Sequence, residues 1–270
     1  NTMLAHGVGF GKTYIMLTGA MELKRLGIAN KPMFVVPNDK LSDFQNDMKV
    51  MYPNAKVLAA AEDDFKPENI CSLFAQIATN DWDAVIVRHS SFTKIPTSKA
   101  TQEAYIQEQI QEVEQAILEA AGEKDKKITK QLERAKENLE AKLKGLSEMK
   151  KIDLLTFEEM GIDYLFVDEA HEFKNLRTYT KLSNVKGLNT TGGPTTEDFY
   201  SKVRYVAQLH GGKRGLVFAT GTPISNSLNE LFTLFKYLRP DLLLDSGVKH
   251  FDAWMSTFGN VENRTEIKHD

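Results

Sequence analysis

Short apolar runs alternate with longer amphipathic stretches over the first hundred positions. Residues 33–37 (Met-Phe-Val-Val-Pro) and 84–88 (Ala-Val-Ile-Val-Arg) lack the every-second-residue polarity of a half-exposed strand, as expected of strands buried on both faces. Residues 3–5 look like the end of a further strand, and 56–60 like another. Between them, residues 12–26 read as a helix ending near Gly27, 41–51 as a helix with Leu41, Phe44 and Met48 on one face, and 68–78 as a third. Such β-α-β alternation predicts an α/β domain with a parallel central sheet covered by helices on both sides.

The period changes between residues 98 and 152. This segment is rich in Glu, Lys, Gln and Ala, has no proline, and carries apolar residues at heptad spacing. Ile106, Ile110, Val113 and Ile117 form one stripe, and Ile128, Leu132, Ala135, Leu139 and Leu146 another. Ala-Gly-Glu-Lys-Asp at 121–125 is a natural reversal, so the segment predicts an inserted antiparallel helical hairpin. Its interspersed charges favour a solvated spacer over a DNA-guiding or partner-binding arm. The α/β pattern then resumes with a strand at 163–168, a loop at 188–196 containing Gly192, Gly193 and Pro194, and a helix at 197–209. A strand at 215–219 and a helix at 228–238, stopped before Pro240, follow.

Composition narrows the functional classes. The net charge of −3 gives no bulk basic field, so any nucleic-acid contact must use a local basic face. A single cysteine, Cys71, excludes an internal disulfide and fits a reducing, cytoplasmic setting. No apolar run approaches the roughly 20 residues that span a bilayer, so no membrane role is expected. A phosphate-loop pattern preceded by so little chain suggests a fragment of a longer protein. His210 and His250 lack partners at metal-ligand spacing. Trp82, Trp254, Phe232 and Phe235 read as core, and Cys71 as buried filler on an apolar helix face.

Three motifs carry chemistry. Residues 5–13 read Ala-His-Gly-Val-Gly-Phe-Gly-Lys-Thr on a strand–loop–helix. Glycines at 7, 9 and 11 (Gly7, Gly9, Gly11, with Val8 and Phe10 between) let backbone N–H groups turn towards phosphate oxygens, and the helix start adds favourable partial charge. Lys12 would reach the β and γ phosphates of ATP, and Thr13 would ligate Mg²⁺. The common form of this loop has glycine where His6 stands. Asp168, Glu169, Ala170 and His171 follow a buried strand, where a Mg²⁺-binding carboxylate belongs. Asp168 would hold Mg²⁺ through water, Glu169 would position the attacking water, and His171 would relay nucleotide state. That relay would run to the third motif, Thr220-Gly221-Thr222-Pro223, also at a strand end. Each motif alone has a plain structural explanation; their order carries the inference.

Together they resemble the first RecA-like lobe of superfamily 2 helicases of the Swi/Snf type. That family writes its first motif Asp-Glu-x-Gly-x-Gly-Lys-Thr, which aligns with His6-Gly-Val-Gly-Phe-Gly-Lys-Thr13; here His6 and Gly7 replace the acidic pair. Asp168-Glu-Ala-His-Glu-Phe-Lys-Asn175 is similar to the family's Asp-Glu-Ala-His-Arg-x-Lys-Asn. Thr220-Gly-Thr-Pro-Ile-Ser-Asn226, with Leu228, Glu230 and Leu231, is similar to its motif III and following helix. Val35-Val-Pro37 with Phe44-Gln45 resembles motif Ia, and Val85-Ile-Val-Arg-His-Ser-Ser-Phe92 resembles motif Ib. A narrower resemblance, to the helicase-like part of large phage and conjugative-element proteins often joined to adenine methyltransferase modules, rests on 21–27, 52–55, 76–79 and His250-Phe-Asp-Ala-Trp254.

The resemblance implies a lobe at 1–97 and 153–240, the hairpin at 98–152, and the start of a connection to a second RecA-like lobe at 241–270. It implies ATP and Mg²⁺ as cofactors, DNA as the track in preference to RNA, a methyltransferase module as a possible neighbour, and a bacterial or phage-host cytoplasm. DNA contacts would fall on Asn38, Lys40, Arg88, His89, Ser90, Ser91 and Lys94, and more weakly on Lys174, Asn175 and Arg177. Without arginines from a second lobe, hydrolysis by this chain alone is expected to be poor. Two other readings stay open: a nucleotide-gated DNA-binding module without significant hydrolysis, and a P-loop ATPase with no nucleic-acid role.

Overall fold

The computed structural model describes residues 1–121, 126–148, 154–182, 188, 190–225 and 227–260. Six parallel strands form one sheet in the order β1-β6-β5-β2-β4-β3: β1 (Thr2–Leu4), β2 (Pro32–Val36), β3 (Val57–Ala59), β4 (Ala84–Arg88), β5 (Tyr164–Val167) and β6 (Leu216–Ala219). Around it lie α1 (Lys12–Arg25), α2 (Leu41–Met51), α3 (Ile70–Thr79), the single turn α4 (His89–Phe92), α5 (Lys99–Ala121) and α6 (Lys126–Glu148). The chain continues through α7 (Pro194–Leu209), α8 (Leu228–Leu238), α9 (Pro240–Asp245) and α10 (Phe251–Phe258). This is the RecA-like α/β architecture, with a parallel sheet between helical layers.

The continuous apolar runs exist because alternate residues of each central strand face opposite layers. Phe34, Val36, Ile86 and Phe166 meet Met16, Leu17 and Ala20 of α1 and Phe44 and Met48 of α2 on one side. Met33, Val35, Val85, Val87, Leu165 and Val167 meet Leu73, Phe74 and Ile77 of α3 and Phe199, Val203 and Val206 of α7 on the other. Phe34 stacks on Phe166 at 5.0 Å, so Phe34→Ala would lose both that pair and its burial, about 3–5 kcal/mol. Because all six strands run the same way, every strand-end loop that carries a motif opens at one edge of the sheet.

The two long helices pack antiparallel, with Ile106, Val113, Ala116 and Ala120 of α5 against Leu132, Leu139 and Leu146 of α6. The reversal expected at 122–125 and the segment at 149–153 lie outside the described residues. The expectation of a solvated spacer needs correction, because α5 lies along the lobe. Glu112 pairs with Lys236 of α8 at 2.7 Å with both side chains largely covered, and Tyr105 packs on Tyr200 of α7 at 5.5 Å. Those contacts use a polar face of α5 that flanks its apolar stripe. Charge pairing on α6 also runs between helices, with Lys136 reaching Glu114 at 2.7 Å.

Cys71 is a second correction: it is exposed, because the buried face of α3 is formed by Leu73, Phe74 and Ile77. Trp254 and Phe232 are core, whereas Trp82 and Phe235 are only partly buried against it. No helix among the described residues is long and apolar enough to cross a membrane.

Candidate functional site

The loop after β1 turns twice through the left-handed region, at Gly9 (φ 82°) and Gly11 (φ 72°). An added Cβ would meet nothing at either position, so the demand for glycine is conformational. Gly11 immediately precedes α1 and brings no side-chain acceptor to the N–H groups of its first turn. The helix start therefore presents partial positive charge to whatever fills the loop. Lys12 folds back over the loop, donating to the carbonyls of His6 and Gly7, each at 3.0 Å. Val8 (87% exposed) and Phe10 (74%) stand out into solvent from the same loop.

Asp168 sits at the end of β5, its N–H bonded to Val35 O of β2 at 2.9 Å and its side chain only 8% exposed. Burial, followed by the neighbouring charge of Glu169, pushes its carboxyl above the usual range. Glu169 has φ 46°, the only non-glycine residue in the left-handed region among those described. Strain of this kind persists where surrounding structure holds the turn in place. His171 follows, its Nδ1 lying 2.9 Å from Thr220 Oγ1 and 3.2 Å from Glu169. Thr220 also accepts the N–H of Thr222 at 3.0 Å, which leaves its hydroxyl proton free to go to the imidazole.

The third motif is seated against the first. Thr220 N–H donates to Leu4 O at 3.1 Å, continuing the β1–β6 pairing past the strand ends. A Cβ on Gly221 would lie 3.7 Å from His6 O and from the Val8 side chain, so the two loops are in near contact. Glycine loop, acidic strand end and Thr-Gly-Thr turn thus share one sheet edge.

The proposed DNA positions divide into two groups. Asn38 accepts both the N–H (3.3 Å) and the hydroxyl (2.9 Å) of Ser90, tying the loop after β2 to the turn after β4. Lys40 pairs with its neighbour Asp43 at 3.2 Å, and exposed Lys94 lies 5.9 Å over the Phe65 ring. Others turn inward. Arg88 pairs with Glu62 at 3.2 Å, and Ser91 is buried. The Nε2 of His89 bonds Asp168 O at 2.9 Å, and its ring packs edge-on to Phe173. Burial lowers the pKa of His89. Lys174 is drawn to Glu230 (3.2 Å) and Ser225, and Arg177 to Thr191 O and Glu197. Asn226 lies outside the described residues.

Several site-supporting residues gave no readable sequence signal. The Tyr237 hydroxyl donates to Phe173 O at 3.0 Å, and Thr178 donates to Asn229 at 2.8 Å. Both partners come from a helix that sequence periodicity recognises only by its apolar face. Lys202 is fully buried, bonded to Asp198 at 2.5 Å and to Phe92 O at 2.9 Å, and so fixes the turn that carries Ser90.

These elements define a RecA-like lobe whose candidate site lies at the carboxyl ends of its strands. The chain belongs to the probable helicase domain family, which matches residues 1–268. It is 35% identical over 110 residues to the yeast (Saccharomyces cerevisiae) ISWI chromatin-remodeling complex ATPase ISW2, covering 41% of this chain and 7% of that protein. It is 24% identical over 259 residues to the human SWI/SNF-related matrix-associated actin-dependent regulator of chromatin subfamily A member 1 (95% and 16%). Defense against restriction protein B of Escherichia phage P1 is 23% identical over 195 residues (71% and 8%). Among solved structures, the Sulfolobus solfataricus SWI2/SNF2 ATPase core in complex with dsDNA matches with a TM-score of 0.48 at 16% identity, over 96% of this chain and 34% of that one. The chain thus spans a small part, 7–16%, of these three curated relatives. The resemblance to a first lobe of the Swi/Snf type stands on these relatives and on the family match together.

Proposed function

We propose that this chain binds Mg·ATP at residues 7–13 and is the first motor lobe of an ATP-dependent DNA translocase or helicase. The observation that carries the proposal is the 2.9 Å bond between His171 and Thr220, which joins the acidic strand end to a turn lying against the glycine loop.

The residues present fit the two cofactors. Asp168 is a covered carboxylate beside a second acidic group, and Mg²⁺ is commonly held by one or two carboxylates together with substrate phosphates. Thr13, half-buried at the start of α1, adds a hydroxyl. A bound Mg²⁺ supplies neutralisation of the charge that develops on the transferring phosphoryl oxygens.

The chain's own residues do the rest. Lys12 exchanges two neutral carbonyl acceptors for anionic phosphate oxygens, a stronger charge-assisted bond. N–H groups of the loop and of the α1 start hold the remaining phosphate oxygens. Glu169 orients the attacking water and takes its proton. His171 and Thr220 pass the presence or loss of the terminal phosphate to the turn at 220–222. Asn38, Ser90, Lys40 and Lys94 face the DNA backbone, while Arg88 and His89 hold the turns from which those contacts come. Contacts of this kind read little sequence, as a moving protein requires. A second RecA-like lobe would complete the cleft, and a methyltransferase module is a fitting neighbour for a protein resembling the phage group.

Calorimetric titration of Mg·ATP and Mg·ADP into this chain and its Lys12→Ala variant tests the reading. Binding by the parent that the substitution abolishes is the expected result. No binding by a parent chain that remains folded, or equal binding by both, would overturn the assignment of the loop.

A further inference from the structure

The stretch that follows the DEAH residues is fastened to the end of the chain in a way the motor reading does not account for. Residues 174–182 form neither strand nor regular helix, and side chains from α8 and α10 hold them instead. Lys174 pairs with Glu230, and Thr178 donates to Asn229 at 2.8 Å with both residues buried. Further along, the Thr180 hydroxyl donates to one oxygen of Asp252, and Lys181 N–H donates to the other at 2.8 Å. Leu182 N–H closes back on Thr180 Oγ1 at 3.0 Å.

Asp252 belongs to the phrase His250-Phe-Asp-Ala-Trp254, which the chemistry of the sheet edge leaves unused. Its flanking aromatics seal α10 to α8, with Phe251 at 5.4 Å and Trp254 at 5.6 Å from the Phe232 ring. Leu182 packs into the same cluster. A carboxylate covered to this degree is costly unless hydrogen bonds satisfy it, and here both oxygens are used on one segment 71–72 residues away. Aromatic packing alone would hold α10 in place; the carboxylate adds a grip on the segment after the DEAH residues.

We infer that Asp252 is a positioning residue: by gripping Thr180 and Lys181, it keeps residues 174–182, and through them His171, in register with Thr220. The last described helix thereby governs how well nucleotide state is passed on, without touching nucleotide itself. This inference rests on the motor-lobe reading above.

The test uses the full-length natural protein carrying Asp252→Ala, Thr180→Val, both together, or Thr180→Ser. ATP turnover with and without duplex DNA, Mg·ATP affinity and backbone hydrogen exchange are measured on each. The expected result is DNA-stimulated turnover lowered about tenfold by either single substitution, with unstimulated turnover and affinity held within about twofold. The double variant should be no worse than one single, since both remove the same bond. Thr180→Ser should restore the parent rate. Hydrogen exchange should quicken at residues 171–182 in the impaired variants. Equal losses with and without DNA, additive losses, or unchanged exchange would overturn the inference and leave Asp252 as packing alone. Absence of nucleotide binding by the unsubstituted protein would instead sink the motor reading, while the exchange comparison would still decide whether Asp252 holds the segment.

Discussion

The glycine loop and the DEAH turn lie at the same edge of the sheet but are built in opposite ways. In the loop, the Lys12 ammonium bonds to residues five and six places earlier, and Val8 and Phe10 project into solvent. In the DEAH turn, Asp168, His171, Phe173 and Lys174 are each bonded to residues at least 49 positions away, most of them under cover. The first region is held by its own backbone and can be reshaped by a ligand at small cost. The second is held by the whole lobe and resists reshaping. Under the proposed function, a site made from one of each would close on phosphate and still transmit the event, since a shift that meets a stiff neighbour is passed on.

The largest test of this contrast is at Glu169. Glu169→Gln should lower turnover by about 10²–10⁴ while leaving nucleotide affinity nearly intact, measured by ATPase assay beside calorimetry. Glu169→Gly should be as inactive yet more stable, by up to about 1 kcal/mol in chemical denaturation, because it relieves the left-handed backbone. A glycine variant that lost stability would show that the carboxylate, and not the turn, keeps the region in place.

Stability should also separate the two regions. Tyr237→Phe leaves the Phe173 carbonyl without its 3.0 Å donor inside the core and should cost about 1–2 kcal/mol. Lys12→Ala should cost no more than about 0.5 kcal/mol, since it breaks bonds only within its own loop. Similar losses for the two would erase the distinction.

Two pH effects are smaller. Burial and Glu169 raise the folded-state pKa of Asp168, so the folded protein holds that proton more tightly than the unfolded chain. Stability from this group is therefore complete below the ordinary carboxylate pKa and is lost as pH rises through the raised one. Asp168→Asn should accordingly stabilise the protein at pH 7, with the gain vanishing on acidification below about pH 4. His89 has the opposite sign of charge and a lowered pKa, so the folded state binds fewer protons than the unfolded chain. Stability should rise with pH from that lowered value up to about 6.5 and then level off. His89→Gln should flatten this slope, read as the difference in melting temperature between pH 5 and pH 7.

The sheet and its motifs were legible because their signals are local. Continuous apolar runs mark strands buried on both faces, and glycine spacing before Lys12 marks a loop that must pass through positive φ. The face that α5 turns to the lobe was not legible. It is built from Tyr105, Glu108 and Glu112, polar side chains indistinguishable in sequence from the solvated face of any charged helix. The pairing of Lys174 was not legible for a related reason, since nothing in a sequence tells a free lysine from one paired with Glu230. Cys71 was misread because one helical step separates a covered position from an open one.

The pairing of β1 with β6 carries one more consequence, for how the molecule comes into being. It brings Leu4 beside Ala219 and the glycine loop beside Gly221, although more than two hundred residues separate them along the chain. During synthesis the loop emerges well ahead of Gly221 and then waits, without its neighbour, until the intervening chain has been made. Contacts this distant in sequence form slowly and late. A growing chain that ends before β6 therefore has the glycine loop but not the Thr-Gly-Thr turn that rests against it, so the two meet only when the fold is nearly complete.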